Sequence, residues 1–304
     1  MNPYIQSLRL RTLPLSMSGI ILGTGLAMSH QSSAFSLQQY IVFGLAILTT
    51  LSLQILSNLS NELGDAQKGT DTDQHSRAAY GLQAGTLTFA QIKKEIALFI
   101  GLSVLFGSAL VFVAFGWLSV FSNGLSAMSN EQLPIVQTLV FLGLGLLAII
   151  GAMTYTLGKH SYGYMGLGDL GVFLFFGLLS TMGSYYLQTQ TITVEVVWAA
   201  VALGLPIVGV LNLNNVRDMD NDRAHGKRTL AGMMGKRGGK IYQTCLLTAC
   251  MTVFVILGHY WVLLIAPVWF WHIMYIFRHE GSELDIQMPV LMFSTIILSV
   301  LACF

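Results

Sequence analysis

Charge is what this sequence has least of. Only 10% of its 304 residues are charged, against 54% that are hydrophobic, and its mean hydropathy of +0.67 lies far from that of a soluble domain. A net charge of +1 offers no basic surface for nucleic acid. Cysteine is scarce too. Cys245, Cys250 and Cys303 all fall inside apolar runs, which excludes a disulfide framework and a closely spaced Cys/His zinc site. What is left is a membrane protein.

A helix needs roughly 20 apolar residues to cross a bilayer. Nine stretches qualify: Leu13–Met28, Leu37–Leu56, Ile96–Val120, Pro134–Leu157, Leu167–Leu187, Val194–Val216, Ile241–Gly258, Tyr260–Phe277 and Met288–Cys303. The first follows Arg9 and Arg11 as a signal peptide would, but it is expected to stay as a membrane span. The boundary near His259 is the weakest. The expected fold is therefore all-α, a polytopic bundle of nine transmembrane helices forming one integral-membrane domain over residues 1–304.

The basic residues support that count. All 15 Lys and Arg lie in residues 1–12, 57–95, 158–166, 217–240 and 278–287, and the segments between the other span ends have none. By the positive-inside rule the N-terminus and these five segments are cytoplasmic and the C-terminus is outside. Of the acids, only Glu131 and Glu195 fall on the far side.

The remaining carboxylates gather at two helix ends. Asn58, Asn61 and Asp65 recur at i, i+3 and i+7 after the second span. Asn214, Asp218 and Asp222 recur at i, i+4 and i+8 after the sixth, with Asn215 beside them. Each set makes one polar stripe on a helix. Hard oxygen donors of this kind suit magnesium, which completes its shell with phosphate oxygens and water. A pyrophosphate is repelled by bare aspartates, yet can bind once Mg2+ bridges them and Lys68, Lys159, Arg217, Lys227 and Arg228 flank the site. Solvated loops of mixed charge are the plain alternative, and the doubled spacing argues against it. A cation transporter would place charges near mid-span, where this chain has almost none. A third segment adds Tyr155 and Lys159 at i, i+4, which also suit an interfacial aromatic and a snorkelling lysine. Asp169, at the start of the fifth span, is expected to have a partner or a function.

These residues resemble the UbiA superfamily of intramembrane prenyltransferases over essentially the whole chain. The N-D-x-x-D motif falls on Asn61-Glu62-Leu63-Gly64-Asp65, the D-x-x-x-D motif on Asp218 to Asp222, and Y-x-x-x-K on Tyr155 and Lys159. The stretches "RLRTLPLS", "GDAQKGTDT", "YTLGKHSYGYMGLGD" and "NNVRDMDNDRAHGKRTLAG" resemble the menaquinone branch, whose members prenylate 1,4-dihydroxy-2-naphthoate. Glu62 stands where the motif has Asp, and Asp169 where the branch has Glu. The resemblance implies an enzyme of the cytoplasmic membrane that joins a polyprenyl diphosphate to that naphthoate with loss of CO2 and diphosphate. It implies two Mg2+ ions on Asn61, Glu62, Asp65, Asp71, Asp218 and Asp222, with Asp65, Asp218, Asp222, Tyr155 and Lys159 in the catalytic set. Lys68, Lys159, Lys227 and Arg228 become contacts for the diphosphate, with Arg217, Asn58 and Asn215 beside them. Arg11 is the expected anchor for the acceptor's carboxylate, and serves equally as an ordinary positive-inside residue. The nearest rival is prenylation of another ring acid such as 4-hydroxybenzoate.

Overall fold

Residues 3–69, 81–117 and 134–304 are described in the computed structural model; Asp71 lies outside them. Among these residues nine helices are long and apolar enough to span a bilayer, as expected of an integral membrane protein. We number them α1 (Leu13–Ser29), α2 (Leu37–Lys68), α3 (Phe89–Ala114), α4 (Ile135–Thr154), α5 (Gly168–Thr189), α6 (Val194–Arg217), α7 (Leu230–Ile256), α8 (Tyr260–Arg278) and α9 (Gly281–Leu301). A short helix, Pro3–Ser7, precedes α1, and another, Met219–Ala224, follows α6.

Several helices outrun their apolar parts. Helix α3 starts at Phe89, seven positions before the expected Ile96, because the side chain of Thr88 accepts from Gln91 N–H and the Gln91 side chain returns to Thr88 N–H. Thr229 likewise caps Gly232 N–H at 3.0 Å and starts α7 at Leu230, well before Ile241. Such caps satisfy the first N–H groups of a helix whether or not its first turns are apolar. At the far end of α7, Gly258 has φ +91°, and the 3-10 turn Tyr260–Ile265 follows, so the weak boundary near His259 is a real break.

Small residues let the helices touch backbone to backbone, as they do inside membranes. A Cβ on Gly177 of α5 would lie 2.7 Å from Gly204 Cα of α6, and one on Gly23 of α1 would lie 2.2 Å from the Thr181 carbonyl. The Gly177 approach falls within a π-helical turn of α5, Phe173–Leu179.

Some polar groups inside the bundle pair across helices. Asn212 of α6 donates to Gln243 Oε1 at 2.8 Å, Gln243 lies 3.3 Å from His272 Nε2, and His272 Nδ1 is 2.9 Å from Gln287 Oε1. This buried line crosses α6, α7, α8 and α9. On the opposite face, Glu195 sits 3.3 Å from His30 Nε2 and 3.4 Å from His259 Nε2, tying together the ends of α1, α6 and α7.

Candidate active site

One cavity of about 800 Å3 runs from the polar helix ends into the bundle. Its polar end takes Asn61 and Asp65 from α2 and Asn214 and Arg217 from α6, with Asp218 capping that helix and Asp222 and Lys227 just beyond. Its deep end is walled by apolar side chains from α1 to α5, among them Ile20, Leu53, Val111, Phe141, Phe176 and Leu187. Thus the two stripes, more than 140 positions apart, face one space.

The first stripe is organised by the turn after α4. A Cβ on Gly64 would meet Thr156 at 2.7 Å, so glycine lets this turn lie on α2. There Thr156 Oγ1 donates to Ser60 O at 2.9 Å and is 3.1 Å from Asn61 Oδ1. Lys68 Nζ donates to Thr156 O at 2.7 Å and to Ser161 Oγ, and stands 3.7 Å over the Tyr164 ring. Tyr164 then donates its hydroxyl to Asp65 at 2.7 Å. Tyr155 lines the cavity and packs edge-on against Tyr162, with ring centres 5.2 Å apart. Burial, the largest cause, pushes the Tyr155 hydroxyl well above its ordinary range and that of Tyr162 to about 12, so both stay neutral phenols.

The second stripe carries more charge. Arg217 donates through Nε and Nη2 to the two oxygens of Asp218, both at 2.9 Å, and through its other N–H groups to Asn214 and Asp285. Asp222 is 3% exposed, and Lys227 Nζ lies 3.1 Å from its Oδ2. Burial raises the Asp222 carboxyl above its usual range, while the charge of Lys227 opposes that rise and the charge of Asp65 adds to it. The mutual repulsion of Asp65 and Asp222 is what a cation between them would relieve.

Magnesium fits this donor set. Asn61, Asp65, Asn214, Asp218 and Asp222 present only hard oxygens, apart from the amide nitrogens. Among the described residues no three His, Cys, Asp or Glu side chains converge closely enough to hold an ion by themselves. An ion here therefore needs further oxygens, as Mg2+ bound with a substrate phosphate would have.

The sequence of residues 16–296 matches the UbiA prenyltransferase family. The chain belongs to that family. This UbiA-family chain is 39% identical to the 1,4-dihydroxy-2-naphthoate octaprenyltransferase of Haemophilus influenzae, over 80% of its own length and 72% of the relative's. It is 40% identical to the enzyme of the same name from Escherichia coli K12, over 83% and 75%. Its fold is similar to that of a UbiA homolog from Archaeoglobus fulgidus solved with DMAPP and Mg2+. There the TM-score is 0.58 and the identity 15%, covering 98% of this chain and 86% of that one.

Not every residue singled out in the UbiA-family motifs faces the cavity. Glu62, expected on a metal, is fully buried outside its lining. Its Oε1 accepts from Leu82 N–H at 2.8 Å and Ser7 Oγ at 3.2 Å, so it fastens the N-terminal helix and the turn at residue 81 to α2. Asn215 is 2% exposed and turned from the cavity; Asn214, one position earlier, takes the place expected of it. Lys159 is exposed outside the lining. Arg228 is exposed as well, and its backbone N–H bonds Tyr164 O at 3.1 Å. Lys68 holds the loop rather than facing the cavity, and Asn58 lines it but spends its amide N–H groups on Leu8 O and Thr12. Asp169 lies near the Tyr242 hydroxyl.

Sequence reasoning missed Asp285, Tyr164, Thr156 and Arg9. Asp285 carried a signal, an acid in the cytoplasmic segment before the last span. The others lie in turns, where no periodicity marks a face.

The Glu62 contacts give a prediction. Glu62→Gln weakens the two hydrogen bonds that this buried side chain accepts, a loss of about 1–3 kcal/mol. Thermal unfolding in detergent should shift down by several degrees, with the Mg2+ concentration for half-maximal turnover unchanged. A markedly raised Mg2+ requirement would put Glu62 back on the metal.

Proposed function

We propose that this chain transfers a polyprenyl group from polyprenyl diphosphate to 1,4-dihydroxy-2-naphthoate, releasing diphosphate and CO2. The observation that carries this reading is the single cavity that joins two acid-and-amide stripes to an apolar channel, in a chain 39% and 40% identical to naphthoate octaprenyltransferases. The diphosphate belongs at the polar end and the isoprenoid tail in the channel. Asn61 and Asp65 on one side, and Asn214, Asp218 and Asp222 on the other, are the groups to hold two Mg2+ ions. Bound there, the ions neutralise the charge that builds on the departing diphosphate.

The protein's own groups do the rest. Lys227 and Arg217 line the cavity and add positive charge beside the leaving oxygens. Asp285 and Asp218 fix the Arg217 guanidinium, so it need not reorganise as the bond breaks. Cleavage of the allylic C–O bond leaves a delocalised cation. The neutral ring of Tyr155, which lines the cavity, is the group proposed to face it, and the apolar wall of Phe175 and Phe176 keeps out water that would trap it as an alcohol. The ring carbon bearing the carboxylate forms the new C–C bond. The ketone made beside it accepts the electron pair released as CO2 departs, which restores the aromatic quinol of demethylmenaquinone. No net proton is consumed.

Incubation with Mg2+, polyprenyl diphosphate and equal amounts of the naphthoate and 4-hydroxybenzoate tests the acceptor. Only the naphthoate should be prenylated. If 4-hydroxybenzoate is prenylated with its carboxylate kept and the naphthoate is ignored, the acceptor assignment fails.

Orientation follows from the same reading, with the acid-rich end cytoplasmic and the enzyme in the cytoplasmic membrane. In a cysteine-free background, Thr191→Cys should react with a membrane-impermeant thiol reagent on intact cells, and His160→Cys only after lysis. The reverse pattern would turn the site outward.

A further inference from the structure

The two stripes come from distant parts of the chain, and their acids repel each other, Asp65 against Asp222. A site that is to grip one diphosphate between them needs the stripes held at a fixed spacing before the substrate arrives. The turn after α4 has the contacts to do this.

That turn is tightly folded. Gly163 N–H donates to Tyr155 O at 2.9 Å, and a Cβ on Gly163 would lie 2.7 Å from the same oxygen, so only glycine lets the chain double back on the end of α4. Tyr164 N–H donates to Ser161 O at 3.0 Å, and Met165 and Leu167 N–H both donate to Tyr162 O at 3.1 Å. Across from it, the chain leaves the short helix Met219–Ala224 and turns at Gly226, whose φ is +72°. This brings Arg228 N–H to Tyr164 O at 3.1 Å, and Met165 pairs with Arg228 in an isolated β-bridge. One loop packs on the first stripe and the other continues the second, so their backbones already join the two.

The Tyr164 side chain makes the same link between charged groups. Its hydroxyl donates to Asp65 Oδ1 at 2.7 Å. Its ring carries two ammonium groups, Lys68 Nζ at 3.7 Å and Lys227 Nζ at 5.8 Å from the ring centre, both within reach of cation–π attraction. Lys227 in turn lies 3.1 Å and 3.3 Å from the two oxygens of Asp222. Asp65, Asp222 and Lys227 line the cavity, whereas Tyr164 stands behind them, outside the lining. A hydrogen bond to one oxygen of a ligating carboxylate fixes how that group is turned, and partners of this kind govern metal affinity without touching the metal. We propose that Tyr164 is a positioning residue for the diphosphate site, its hydroxyl aiming Asp65 of the first stripe and its ring seating Lys227 beside Asp222 of the second. The proposal rests on the reading of this cavity as a diphosphate site.

Tyr164→Phe removes the hydroxyl and keeps the ring; Tyr164→Met removes both, with Tyr164→Leu as its substitute if it does not fold. Each is read first without turnover, from the rise in unfolding temperature that Mg2+ and inorganic pyrophosphate together give the protein in detergent. In Tyr164→Phe the Mg2+ concentration for half-maximal stabilisation should rise about tenfold or more. The pyrophosphate concentration needed at saturating Mg2+ should stay within about twofold of wild type, because the ring still seats Lys227. In Tyr164→Met that pyrophosphate requirement should also rise, by about threefold or more. Turnover should follow the same split: kcat falls and the Mg2+ requirement rises, while KM for 1,4-dihydroxy-2-naphthoate stays within about twofold. Combined with Asp65→Ala, Tyr164→Phe should add nothing to the Mg2+ requirement, since the group it aims is gone. Combined with Asp218→Ala, it should add its full effect.

If folded Tyr164→Phe needs no more Mg2+ than wild type, the proposal fails and the diphosphate reading stands. It fails in the same way if the variant merely unfolds earlier, with and without the ions alike, or if its effect adds in full to that of Asp65→Ala. Equal pyrophosphate requirements in Tyr164→Phe and the ringless variant would separate Lys227 from the ring and overturn the assignment of a link between the stripes. If Mg2+ and pyrophosphate give the wild type no stabilisation, the diphosphate reading and the proposal fall together.

Discussion

Asp65→Ala and Asp218→Ala should each lower turnover by about a hundredfold to a thousandfold, the size of loss seen when one preorganised charge-stabilising group is removed from an active site. Asp65 and Asp218 stand on opposite walls of one cavity, so each loss leaves one stripe to face the diphosphate alone. The protein should survive both changes. Asp65 is half-buried and gives up one hydrogen bond, from Tyr164, while Arg217 keeps Asp285 when Asp218 is gone. EDTA should abolish activity in the wild type and Mg2+ should restore it. Near-normal turnover in either folded variant would mean that the stripes do not act as one site.

Gly177→Val should fail at an earlier stage. The added Cβ would sit 2.7 Å from Gly204 Cα, and a backbone atom cannot swing away as a side chain can. Separating α5 from α6 would disturb Phe175, Phe176 and Leu179 on one wall and Ile207 and Leu211 on another, all of which line the cavity. Overpacking usually costs about 1–3 kcal/mol and sometimes more; against rigid backbone we expect about 3 kcal/mol or above. Size-exclusion chromatography in detergent should show a strongly reduced monodisperse peak. Gly143→Ala, at a position with open space around it, should behave as wild type. A well-folded Gly177→Val would show that α5 and α6 can move apart without harm.

The contrast between what the sequence revealed and what it hid has a physical basis. Spans were legible because a bilayer demands long apolar runs, while the sidedness drawn from the basic residues stands as a proposal. The first stripe was legible because it lies on one helix, whose period of 3.6 residues puts Asn61 beside Asp65; the second departs from that expectation, since α6 ends at Arg217 and Asp222 sits on the separate helix Met219–Ala224. Helix starts were harder, since Thr88 and Thr229 extend α3 and α7 through hydrogen bonds that hydropathy does not register. Within the first motif, spacing could not separate Asp65 from Glu62. Adjacent turns of one helix can face a cavity and a neighbouring segment, and only the position of Ser7 and Leu82 shows which one Glu62 meets. Lys159 and Arg228 show the limit of motif transfer: a lysine or arginine beside an acid-rich loop serves the site only if the loop turns it inward. Both are exposed outside the cavity. Arg9 left no periodic trace, because it reaches the cavity lining from a left-handed turn.

The central claim is that one cavity couples departure of diphosphate to substitution at the carboxylate-bearing carbon of the acceptor. Carboxyl-labelled 1,4-dihydroxy-2-naphthoate, polyprenyl diphosphate and Mg2+ test it directly in the purified protein. Labelled CO2 should appear mole for mole with diphosphate and with an unlabelled prenylated quinol, and none should form without the diphosphate substrate. A prenylated product that retains the label, or diphosphate released with no CO2, would contradict the account.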